Sequence, residues 1–203
     1  DGITRIANAY TYNPAGRIFD QSELVGWAAI SNLPVALYFQ AAATVGGRIY
    51  SIAGYTGANV SVVYEYDTAA PEAGWTAVSN LPVALRSLAA AAAGGKVYAI
   101  GGYGAASVKT VYAYDPSHPE AGWTTVSNLP APNFNLAAAS VGDYLYAVGG
   151  KDAVETNSVY RYDTTQPDAG WVVVSNLPVA RDRLSAASHD GMVYAIGGVY
   201  STT

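Results

Sequence analysis

Residues 94–123 read GGKVYAIGGYGAASVKTVYAYDPSHPEAGW. Two glycines between apolar segments signal a tight hairpin turn. Lys96 to Ile100 is rich in strand-forming residues and stops at Gly101-Gly102. A polar loop follows, and Lys109 to Tyr114 alternates at period two. A turn region containing Pro116 and Pro119 leads into Trp123 to Val126, and the small apolar run Leu88 to Ala93 lies upstream. The reading is four short antiparallel strands. No segment shows the 3.6-residue apolar period of a helix.

The stretch recurs. The tryptophans are Trp27, Trp75, Trp123 and Trp171, each 48 residues from the next and each preceded by Gly. Ser-Asn-Leu-Pro follows each, ending at Pro34, Pro82, Pro130 and Pro178. Tyr50, Tyr98, Tyr146 and Tyr194 keep the same register, as do Gly54, Gly102, Gly150 and Gly198. So do the pairs Tyr10/Tyr12, Tyr64/Tyr66, Tyr112/Tyr114 and Tyr160/Tyr162. A four-stranded unit repeating at this length is a propeller blade.

Gly94 to Gly102, Val111-Tyr112-x-Tyr114-Asp115 and Trp123 resemble the kelch repeat, and the resemblance recurs in all four units. It implies an all-β fold: a kelch-type β-propeller with four blades of four antiparallel strands. Ala53 departs from the pattern where the others carry the first Gly of the doublet, and Asn13 stands where Asp67, Asp115 and Asp163 stand elsewhere. Both read as turn variants. Each marker has a physical task. The Gly pairs allow positive φ, the Gly before the loop lets backbone pass a neighbouring blade, and Tyr and Trp fill the wedge between blades.

The chain reads as a single domain, 1–203, with blades at about 37–80, 85–128, 133–176, and 181–203 together with 1–32. Ile3 to Tyr12 corresponds to a third strand and the Trp27 region to a fourth, whereas Leu184 to His189 and Met192 to Gly197 supply a first and a second. The last blade is therefore expected to be shared by N- and C-terminal segments, which would remove sheet edges. The alternatives are two chains sharing split blades, or an open array that polymerises or is a fragment. An insertion at 15–21 carries Ile18 and Phe19 as a candidate contact patch.

Composition sets limits. Apolar residues make up 51% and charged residues 12% of the 203, about half the usual ~25% of soluble domains. Abundant aromatic and β-branched residues exclude disorder. Without Cys there is no disulfide framework and no Cys-ligated zinc. A net charge of -5 gives no footprint for nucleic acid or an anionic membrane, and no apolar run reaches the ~20 residues of a membrane span. No signal peptide precedes Asp1, and a mature or trimmed product would read the same, so this start does not assign a location. The missing Cys suits an oxidising setting, so an extracellular or secreted protein is expected. Scarce charge fits two readings equally: a surface partly covered by another chain or module, as in a homo-oligomer or polymer, or a Tyr, Ser and Thr surface that is polar without being ionic. Asn59-Val60-Ser61 matches an N-glycosylation acceptor, and Ser201 to Thr203 offer O-linked positions.

Positions that vary between repeats are freed from the scaffold. Three to five residues past each repeat Pro lie Leu37-Tyr38-Phe39, Leu85-Arg86-Ser87, Asn133-Phe134-Asn135 and Arg181-Asp182-Arg183. In kelch-like proteins these loops line one face of the ring with the loops between second and third strands. The latter carry Tyr55, Asn59, Tyr103, Lys109, Lys151, Asp152, Glu155 and Tyr200. The candidate ligand-binding residues are Tyr38, Phe39, Arg86, Phe134, Asn135, Arg181 and Arg183. Aromatic and Arg side chains are favoured in recognition pockets, and loops on rigid scaffolds commonly carry binding.

Signals for catalysis are thin. His118 lies in a turn and His189 ends an inner strand, with nothing to pair them, so no metal is expected. Ser185, His189 and Asp190 are too close along one strand for a triad. Glu72, Glu120 and Asp168 recur in the same turn of successive blades, which separates them around the ring. The glycine-rich stretches lack the Lys-Ser/Thr of a P-loop, and the Tyr-Cys copper chemistry of some kelch oxidases is excluded. No cofactor is expected. The reading is a non-enzymatic binding or assembly module for a protein, peptide or glycan. The alternatives are a subunit of an extracellular polymer and a sugar-acting, isomerase-like kelch enzyme using Asp182, Glu155 and the arginines.

Overall fold

The computed structural model describes residues 29–200. The first blade consists of β1 (Ala41–Val45), β2 (Arg48–Tyr55), β3 (Asn59–Asp67) and β4 (Trp75–Ala77). The second holds β5 (Ala89–Ala93), β6 (Lys96–Ile100), β7 (Val111–Tyr114) and β8 (Trp123–Thr125). The third holds β9 (Ala137–Val141), β10 (Tyr144–Val148), β11 (Ser158–Asp163) and β12 (Trp171–Asn176). β13 (Ser185–His189) and β14 (Met192–Ile196) form the hairpin of a fourth. Each complete blade is an antiparallel meander in chain order, so the fold is all-β with propeller blades. Expected contributors at Ile3 to Tyr12, the 15–21 insertion, Trp27 and Ser201 to Thr203 lie outside the described residues, and with them the shared blade.

The register follows the repeat markers. Gly94 and Gly95, at φ 55° and 75°, turn β5 into β6, a conformation that Gly adopts without strain. Ala53 holds φ 54° where the other blades use Gly, so this substitution keeps the turn in a strained backbone. Before each described Trp the Pro-acid-Ala segment forms one 3-10 turn, at Pro71–Ala73, Pro119–Ala121 and Pro167–Ala169. Pro suits the start of such a turn because its missing N–H would be unsatisfied there.

The core sits at the boundaries between blades. Tyr50, Ile52 and Val63 of the first blade pack with Val97, Tyr114 and Trp123 of the second. Ile100 and Val111 of the second pack with Leu145, Tyr162 and Trp171 of the third. Inner strands carry alanines, so β1, β5, β9 and β13 sit close side by side: β1 packs on β5, β5 on β9 and β9 on β13. Among the described residues, no comparable contact joins β13 to β1. Each described indole crosses a boundary. Trp75 Nε1 donates to Ser31 O at 3.1 Å, Trp123 to Ser79 O at 2.8 Å and Trp171 to Ser127 O at 2.9 Å.

Candidate functional site

The variable triplets divide their work by position. The carbonyl of the first residue receives the amide of the second doublet Gly in the preceding blade. Gly54 N donates to Leu85 O, Gly102 N to Asn133 O and Gly150 N to Arg181 O, each at 2.8 Å. Leu85 and Asn133 are buried by this role. The middle residue pairs with the residue after the doublet, giving Tyr38 with Tyr55, Arg86 with Tyr103, Phe134 with Lys151, and Asp182 with Val199. The two loop sets named from the sequence thus meet on one face.

The third residue faces the axis of the array. Phe39, Ser87, Asn135 and Arg183 hold φ of 58°, 54°, 54° and 55°. For non-Gly residues this region costs on the order of 1–3 kcal/mol each. Their amides form a relay: Ser87 N donates to Phe39 O, Asn135 N to Ser87 O and Arg183 N to Asn135 O, each at 2.8 Å. The relay compensates part of the strain and points four unlike side chains at one opening.

That opening is a cavity of about 340 Å³ lined by Tyr38, Phe39, Tyr55, Arg86, Ser87, Phe134, Asn135 and Arg183. Six of the seven candidate residues therefore come together. Arg181 does not. As a first triplet residue its backbone lies at the blade boundary, and its side chain turns to Gly197 O at 2.7 Å. Tyr55 and Ser87 line the cavity but were outside the sequence-derived set. The 48-residue spacing placed Ser87 with Phe39, Asn135 and Arg183, and Tyr55 with Tyr103.

Arg86 is the best-held cation of the cavity. Its guanidinium carbon lies 5.1 Å from the Tyr55 ring centroid and 4.9 Å from that of Tyr103. Each such contact stabilises by roughly 0.5–2 kcal/mol. Nη1 donates to Asn59 Oδ1 at 3.1 Å, and Asn59 Nδ2 is anchored on Tyr103 O and Gly104 O at 3.2 and 3.0 Å. No carboxylate pairs with Arg86 among the described residues. Phe134 packs edge-on against Tyr103 with centroids 5.1 Å apart, and Tyr38 and Phe39 are about half exposed at the rim.

The acidic groups nearby are engaged. Asp182 is buried, accepts from Asn135 Nδ2 at 2.8 Å and lies 3.8 Å from Arg183 Nε. Glu155 accepts from Lys151 Nζ at 3.2 Å. Among the described residues no cluster of three His, Asp or Glu side chains is arranged to hold a metal. The arrangement is suited to holding an anion beside flat apolar surface. The perturbed tyrosines lie elsewhere, between blades: burial pushes Tyr98 up to about 12. Burial also raises Tyr50, whose hydroxyl donates to Glu65 Oε2 at 2.7 Å.

Comparison with known proteins adds the following. The family model described as the KLHDC2/KLHL20/DRC7 Kelch-repeats domain matches residues 19–198. A solved structure described as "Structure of YjhT" superposes with a TM-score of 0.71 at 17% sequence identity, covering 85% of this chain. The match spans 63% of that protein's chain, and at this identity it speaks to the fold alone. No curated protein sequence matches the chain.

Proposed function

The chain belongs to the kelch-repeat family, and from that premise we propose a non-enzymatic binding module that takes a protein, peptide or glycan on one face of its blades. The ligand seats at the cavity rimmed by Tyr38, Phe39 and Phe134 and presents a carboxylate to Arg86 and Arg183. The observation that carries this reading is Arg86, stacked between two tyrosines, anchored by Asn59 and without a carboxylate partner among the described residues. A guanidinium fixed in this way loses little side-chain freedom on binding, which is how preorganisation raises affinity. Its donors suit bidentate contact with a carboxylate.

The test is selection from a random peptide library and from an array of acidic and neutral glycans, followed by titration of the selected ligands. Ligands carrying a carboxylate should be enriched. Arg86→Gln with Arg183→Gln should weaken them at least about tenfold, the scale of one lost charge-assisted contact, whereas Arg181→Gln should leave affinity unchanged. Enrichment of neutral ligands, or affinity indifferent to the double substitution, would reject this site.

A further inference from the structure

One oxygen of Asp182 holds two cavity residues at once. Oδ2 accepts from Asn135 Nδ2 at 2.8 Å and lies 3.8 Å from Arg183 Nε. Asp182 is 2% exposed, so packing fixes where this carboxylate sits. A carboxylate only accepts, and the amide of Asn135 can therefore meet it only through its NH2 end. The carbonyl end, Oδ1, is turned away from Asp182. It has no partner among the described residues and is not sealed from solvent. Asp182 also takes the Nε edge of Arg183, whose side chain is 64% exposed, and leaves its two terminal nitrogens for a ligand. Asn135 and Arg183 are neighbours in the amide relay, and both line the cavity. A fixed acceptor thus stands beside a fixed pair of donors.

We infer that this pair reads a carboxylate whose adjacent carbon bears a hydroxyl. The carboxylate lies on Arg86 and Arg183, and the hydroxyl donates to Asn135 Oδ1. The inference rests on the anion site proposed above and narrows its ligand to 2-hydroxy carboxylates with an aromatic or apolar group for Phe39 and Phe134. A bare carboxylate has no proton to offer Oδ1 and would cover it unpaired, which costs affinity. An ammonium in the same place would be repelled by the two guanidinium groups. An N–H donates but cannot accept, whereas a hydroxyl does both. Ser87, which also lines the cavity, brings a hydroxyl with no side-chain partner among the described residues, and this can donate to the ligand hydroxyl. Asn135 is then a specificity-determining residue, and Asp182 is the positioning residue behind it.

Three probes titrated against the whole chain test this: 3-phenyllactate, its O-methyl ether and 3-phenylpropanoate. All carry the carboxylate and the ring, and only the first carries a proton for Oδ1. It should bind about three- to tenfold tighter than the other two, the range of one neutral hydrogen bond. Asn135→Gly accepts the φ of 54° and removes the acceptor, and it should bring the three affinities together. Asp182→Asn can face the amide with either end, and it should shrink the preference for 3-phenyllactate. A merely structural role would instead weaken all three probes alike, and that result would overturn the role given to Asp182. Equal binding of the three probes, still lost on Arg86→Gln with Arg183→Gln, would keep the anion site and overturn the inference. Tighter binding of the ether than of 3-phenylpropanoate would mean that Asn135 presents Nδ2 to the ligand, and would overturn it as well. Binding of none of the three would remove the anion site and the inference together.

Discussion

Tyr98 and Tyr194 occupy the same place in the repeat, second strand of a blade, within the near-identical sequences Lys96–Ile100 and Met192–Ile196. Tyr98 is 5% exposed and Tyr194 is 43% exposed. The difference lies in what stands beside them. Tyr98 has β7 on its own sheet and Tyr162 of the next blade against its ring. Tyr194 has neither among the described residues. In a repeat protein the residue type fixes the shape of the wedge, and the neighbour decides whether the wedge is filled.

The comparison is broken most forcefully by truncation. Tyr98→Ala should lower unfolding free energy by about 3–5 kcal/mol, as for other large aromatic deletions in a core. Tyr194→Ala should cost under about 1 kcal/mol in dilute solution. Denaturant titration of both variants measures this, and equal costs would show that burial does not track the neighbour.

Next comes pH. Tyr98 stays neutral to about 12 in the folded protein because burial disfavours its phenolate, against an ordinary value of about 10. A raised value contributes stability that is present below pH ~10 and lost as pH climbs towards about 12. A rise of two pH units is worth roughly 3 kcal/mol. The denaturation midpoint should hold through pH 9 and fall steeply above 10, and Tyr98→Phe should flatten that fall.

The smallest effect concerns the relay, which runs through all four blades from Phe39 to Arg183. Ser87→Val forces a β-branched residue to φ 54° and should cost roughly 1–3 kcal/mol. Ser87→Gly relieves the strain and should leave the melting temperature level or slightly raised. Equal melting of the two variants would mean that the left-handed backbone is not maintained in solution.

The strand plan was legible because Gly pairs, period-two tyrosines and Trp repeat in one register, and each is a local signal. The single 3-10 turn before each Trp was not, since three residues are too few to show a period. Within the site, the sequence identified the two loop sets that meet on one face. It did not reveal the division of each triplet, because that division depends on positive φ at Phe39, Ser87, Asn135 and Arg183, and only Asn favours such a conformation on its own. Arg181 was selected by residue type. Alignment with Leu37, Leu85 and Asn133 puts it instead at the boundary position, where the backbone does the work.

The indole ties have a consequence for dissection of the molecule. Each Trp fastens to the unit before its own, so an inner blade gives one tie and receives another. A cut from Trp to Trp severs the fastening on both sides and leaves each excised piece with two halves of different locks. The smallest piece that retains one intact is a blade together with the Ser-Asn-Leu-Pro tail of its predecessor, so modules borrowed for grafting should begin at Ser79 or Ser127 rather than at the indole.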